Sequence, residues 1–309
     1  MRAGCCWDAT PDGRPGWADY FLRHGYPVYV VDQVARGRSP YNAAADGPLE
    51  NISVEMMEHR FAAVERFNLF PQAHLHTQWP GTAAPGDPVF DQLRMSQMPS
   101  MISDNASIDP TNRADGVALL RRIGPAILLT HSRSGDFGWE IGDDAPELVK
   151  GIISIEPWGP PCYRPIVEHI EQLFDANAPK LTRAFSQAPW GLTVDHLTYE
   201  PPVNGLADLA PKREEKSQGP DLARCWFPAT PHRLPDLVGI PEAIVAGDAS
   251  FHAAFDHCTS QYLTQAGVAN DLILLGDHGI HGNTHLMMIE KNNLEIAALL
   301  DDWVKKHVK

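Results

Sequence analysis

Six residues, Thr130-His131-Ser132-Arg133-Ser134-Gly135, follow the apolar run Ile127-Leu128-Leu129. A strand that ends in a small-x-Ser-x-small turn bends sharply, strains the serine, and lifts its hydroxyl above the carboxyl edge of a sheet. Neighbouring backbone then comes so close that only small side chains fit two positions to either side, and here those positions hold Thr130 and Ser134. Ser132 is therefore the candidate nucleophile. Ser134 is its competitor, and an ordinary serine-rich turn is the plain alternative.

A serine hydroxyl attacks only when a base takes its proton. Residues 275–290 form a Gly-rich loop near the C-terminus with three histidines, His278, His281 and His285. His285, just before the last helical stretch, is the preferred base, and His281 is the alternative. The spacing of His281 and His285 could also suit a metal, but the loop lacks the Glu that follows the first His in the HExxH motif. No metal and no cofactor are expected. An imidazole also needs a carboxylate to hold its tautomer. Glu156 and Asp248 each close an apolar run, and position alone does not separate them.

These residues need a frame. Residues 26–32, 126–130, 151–156, 243–246 and 271–275 are short apolar runs without alternation, the pattern of strands buried on both faces of a parallel sheet. Helical patterns cover residues 17–24, 115–122, 255–266 and 293–306, so the order reads as repeated βα units in one α/β domain over residues 1–309. Two stretches rich in Pro, Asn and Gly break the rhythm, residues 40–113 and 157–241. Insertions of that length commonly form lids or pocket walls. Their tryptophans, Trp79, Trp158, Trp190 and Trp226, are candidates for an apolar pocket lining.

Composition narrows the partners. Thirty-nine acidic against twenty-five basic side chains give a net charge of -14, which repels nucleic acid and anionic lipid surfaces. No apolar run is long enough to cross a bilayer. Five cysteines without a CxxC pair argue against a zinc ribbon or a dense disulfide framework, and a vicinal bridge between Cys5 and Cys6 would be strained. Asn51 and Asn105 begin glycosylation sequons of a kind that often arises by chance. A homo-oligomer is left open.

The residues resemble the α/β-hydrolase fold along nearly the whole chain. TPDGRPGWADYFLRHGYPVYVVDQVARGRSP is similar to that family's first helix, fourth strand and following turn; HSRSG resembles its nucleophile turn, PELVKGIISIEP the next strand, and GNTHLMMIEKNN the histidine loop. More narrowly, the chain resembles microbial esterases with Ser-His-Ser-Gln-Ser-Gly at the turn and a catalytic glutamate after the sixth strand. That resemblance implies Ser132 as nucleophile, Glu156 as acid, His285 as base, and the backbone N–H of Arg133 as an oxyanion donor. Arg133 replaces the family's Gln, and its guanidinium would favour acidic substrates.

The resemblance also implies a chain that is N-terminally truncated, without the family's first three strands and the His-Gly loop that supplies a second oxyanion donor. The implied reaction is hydrolysis of a small-molecule carboxylic ester through an acyl-enzyme. The alternatives are a catalytically impaired binding protein of the same fold, or an amidase, thioesterase or acyltransferase using the same triad.

Overall fold

The computed structural model describes residues 5–101, 107–165 and 185–309. Asn105 and the side chain of Cys5 lie outside the described residues. At the centre is a parallel sheet of four strands: β1 (Ala126–Ser132), β2 (Val149–Pro157), β3 (Glu242–Ala246) and β4 (Asn270–Leu274). Their spatial order is β4-β3-β2-β1. Leu129 sits beside Ile153, Ile153 beside Ala243, and Val245 beside Ile273.

Apart from Lys150 near its start, the inner strands are buried on both faces, and Ile152, Ile153, Ile155, Ile244 and Val245 fill most of their length. On one face Ile152 and Ile244 join Phe137, Trp139 and Leu237. On the other, Ile153, Ile155 and Val245 join Ile296, Leu300 and Trp303. Each fully buried isoleucine contributes roughly 1.5–3 kcal/mol relative to exposure. The second face is closed by α5 (Asn293–His307), whose buried Ile296, Ala297, Leu300, Trp303 and Val304 repeat at helical spacing. Helix α1 (Trp17–Arg23) packs alongside, and the indole N–H of Trp17 donates to the carbonyl of Asn293 at 2.8 Å. Helices α2 (Ile108–Ile123) and α3 (Gly135–Asp144) flank β1, and α4 (Asp256–Gln265) precedes β4.

Residues 26–32 correct the sequence reading. Their β-branched pattern suggests a buried strand, but they join no sheet, and Tyr29 and Val31 keep 60% and 61% of their surface exposed. A strand needs a hydrogen-bonded neighbour as well as apolar side chains. Here the segment and β1 both line one cleft of about 1590 Å³. For the same reason Ile127, Leu128 and Leu129 are half-buried, and β4, at the other edge, is also partly exposed. Burial on both faces holds for the inner pair β2 and β3 only.

Cys225 and Cys258 form a disulfide across 33 residues, tying the second insertion to α4. Of the four tryptophans expected to wall a pocket, Trp158 lines the cleft. Trp79 is buried in the second core, and Trp190 and Trp226 pack against the first.

Candidate active site

Ser132 ends β1 with φ of 56°, in the left-handed region that a residue with a Cβ normally avoids. Three local features hold it there. The hydroxyl of Ser134 donates to the carbonyl of His131 at 2.8 Å and accepts from the same residue's N–H at 2.9 Å, closing the turn. The N–H of Trp158 donates to the carbonyl of Ser132 at 2.9 Å. Gly135 opens α3 where a Cβ would stand 2.5 Å from the Pro157 side chain, so the helix meets the end of β2 only because no side chain is there. Thr130, larger than the usual glycine, is accommodated because α3 presents Gly138 to it; a Cβ there would meet the Thr130 methyl at 3.4 Å.

Ser134 is thus a clamp of the turn, while Ser132 faces His285. The Ser132 hydroxyl donates to Nε2 of His285 at 2.8 Å, and Nδ1 of His285 donates to Glu156 at 2.6 Å. Glu156, at the end of β2, is also in the left-handed region, with φ of 43°. Its carboxylate accepts the Gly247 N–H at 2.8 Å and the Ser250 hydroxyl at 2.7 Å. Asp248 does different work. It accepts the N–H groups of Gly282 and Asn283 at 2.7 and 3.3 Å and pairs with Nδ1 of His281 at 2.9 Å. His281 and His285 therefore turn to separate partners.

The histidine loop is fixed from two sides. Gly247 passes so close that a Cβ there would lie 2.3 Å from the Asn283 carbonyl. Glu290 accepts from the Thr284 hydroxyl at 2.6 Å and from the Asn283 side chain at 2.8 Å. His131 adds a third tie by donating from Nε2 to the carbonyl of His285 at 2.8 Å.

Burial dominates the electrostatics. It lifts the Glu156 carboxyl to about 7, while the nearby His252 and the Gly247 and Ser250 hydrogen bonds hold it down. Burial also pushes His285 well below the ordinary imidazole value, with His252 and Arg60 adding to the effect. At neutral pH His285 is an unprotonated base. The guanidinium of Arg133 pairs with Asp109, lies 3.8 Å from Asp136, and sits 4.2 Å over the Trp158 ring. Its charge is countered within the protein, which corrects the expectation that it favours acidic substrates.

Ser132 and His285 lie in the cleft, with Phe61, Trp158, Phe251 and Phe255 among its walls. Local sequence pattern preferred Ser132 and His285 and left Glu156 level with Asp248, and the family resemblance favoured Glu156. The pattern missed Ser250, His252, Phe61 and His131, because a hydroxyl or ring that acts on another side chain leaves no motif.

No protein-family model matches the chain. A probable secreted lipase, phiG, of Fungal sp. (strain ATCC 74256) is 43% identical over 306 residues, spanning 99% of this chain and 79% of the relative. The chain belongs to the lipase and esterase family of α/β-hydrolases. A solved structure of a novel bacterial esterase superposes with a TM-score of 0.58 at 22% identity, covering 100% of this chain and 79% of the esterase. That likeness shows the shared fold, and membership in the family makes the chain a carboxylic ester hydrolase.

Proposed function

We propose that the protein cleaves carboxylic esters through an acyl-enzyme on Ser132. The supporting observation is the unbroken relay from Ser132 to His285 to Glu156, with hydrogen bonds of 2.8 and 2.6 Å, whose Ser132 and His285 line an apolar cleft. Nε2 of His285 takes the hydroxyl proton as Oγ attacks the ester carbonyl. The imidazolium is stabilised by Glu156, and the backbone N–H of Arg133 donates to the oxyanion. Collapse of the tetrahedral intermediate expels the alkoxide, which leaves with the proton from His285. A water then gives its proton to His285 and attacks the acyl carbonyl; the second tetrahedral intermediate breaks its bond to Ser132 Oγ, which takes the proton back from His285 as the acid is released.

Phe61, Phe251 and Phe255 favour an ester with an apolar acyl or alcohol group, in keeping with a relative named as a lipase. The two insertions would shape that cleft. The test is a fluorophosphonate probe followed by peptide mapping. Label on Ser132, lost together with ester turnover in folded Ser132→Ala, is the expected result. Turnover that survives in Ser132→Ala sinks the proposal.

A further inference from the structure

Beside the Ser132, His285 and Glu156 relay lies a second histidine-carboxylate pair that the reaction does not use. Nδ1 of His252 is 2.9 Å from Asp256, and both side chains are almost wholly buried. The His252 ring lies nearly parallel to that of His285, 9° between planes and 4.9 Å between centroids. A ring nitrogen from each histidine and an oxygen of Glu156 all lie within 4.8 Å of one another.

Resting on the Ser132 reading above, we propose that His252, anchored by Asp256, is a positioning residue: it fixes the plane of the His285 imidazole between Ser132 and Glu156.

Two hydrogen bonds fix points on the edge of the His285 ring, but leave it free to tilt about the line between them. A parallel ring against the imidazole removes that freedom, and Asp256 removes the same freedom from His252. Proton transfer needs this order, because small displacements from the reactive geometry cost rate steeply. An aromatic hydrocarbon would supply the plane, as Phe61 does at 5.6 Å and 19°. His252 is itself pushed down to about 4, chiefly by burial, so it remains a neutral ring at neutral pH.

The titratable and charged groups around the pair come from every element packed on it. They are Glu156 from β2, Asp256 from α4, His285 and Glu290 from the loop before α5, His131 from β1, and Arg60 from the first insertion.

The experiment measures kcat, KM and the pH profile of ester hydrolysis for wild type, His252→Ala and His252→Phe, with folding checked by thermal melting. His252→Ala should lose about ten-fold or more in kcat with KM little changed, as expected when only the alignment for proton transfer is lost. His252→Phe, which keeps a ring in place, should recover much of that kcat across the pH profile. Wild-type kcat in folded His252→Ala, or a folded His252→Phe no faster than His252→Ala, overturns the inference. If His252→Ala does not fold, His252→Leu, which fills the space without a flat ring, takes its place. Fluorophosphonate labelling of wild type keeps the two proposals apart: label on Ser132 with indifferent His252 variants defeats this inference only, whereas no label on Ser132 defeats the hydrolytic reading beneath it.

Discussion

Glu156 and His285 are 129 residues apart in sequence and 2.6 Å apart in space, and the Ser250 hydroxyl and Gly247 N–H hold the carboxylate on its other side. Asp248, the other acid at a strand end, lies next in sequence to Gly247 yet turns to Gly282, Asn283 and His281. The two carboxylates thus brace neighbouring parts of one loop with different consequences.

Exchanging each for its amide separates those consequences. Glu156→Gln should lower kcat by about two to four orders of magnitude, since an amide neither holds the required tautomer nor stabilises the imidazolium. Asp248→Asn should retain most turnover and instead lower stability by about 1–3 kcal/mol, through weakened charge-assisted bonds to the loop. Steady-state kinetics and denaturant melts of both variants check this, and loss of turnover confined to Asp248→Asn would reverse the assignment.

The pH profile follows from burial. The reaction needs an unprotonated His285 and an ionised Glu156. Burial lifts Glu156 to about 7 and depresses His285, so as pH falls the relay gains a proton and loses its base. Hydrolysis of a neutral ester should therefore rise through about pH 7 and level off above it, as kcat/KM measured from pH 5 to 9 would show. A profile flat across that range would exclude the relay as the essential ionisation.

The Cys225–Cys258 bridge closes a loop of 33 residues. Its cysteines share an apolar cluster with Phe251, Ala254 and Phe255, on the segment that carries Ser250 and His252. Chain-entropy arguments put such a bridge at about 3–4 kcal/mol. Cys225→Ala with Cys258→Ala should lower the melting temperature, and ester turnover should fall at temperatures below the onset of global unfolding. Thermal melts paired with activity measured over temperature test this; coincident loss of both signals would argue against a local effect on the segment.

Much of this site was visible in the chain itself because its signals are local. A serine flanked by small residues after an apolar run announces a sharp turn, and a Gly-rich loop with histidines before the last helix announces where a base could stand. The parallel α/β order was legible too, from unalternating runs between helical patterns, and it holds in all four strands of the sheet, with both faces covered in β2 and β3.

What sequence determined is therefore the set of candidates: Ser132 with Ser134, His285 with His281, Glu156 with Asp248, and strands by apolar content. Tertiary structure decided among them, because each choice depends on a partner more than twenty residues away or on the closure of a turn. Asp248 and Glu156 end adjacent strands in the sheet and differ only in which part of one loop comes down upon each. Residues 26–32 have a strand's composition but stand apart from β1, and a ladder of hydrogen bonds forms only where two backbones come within reach.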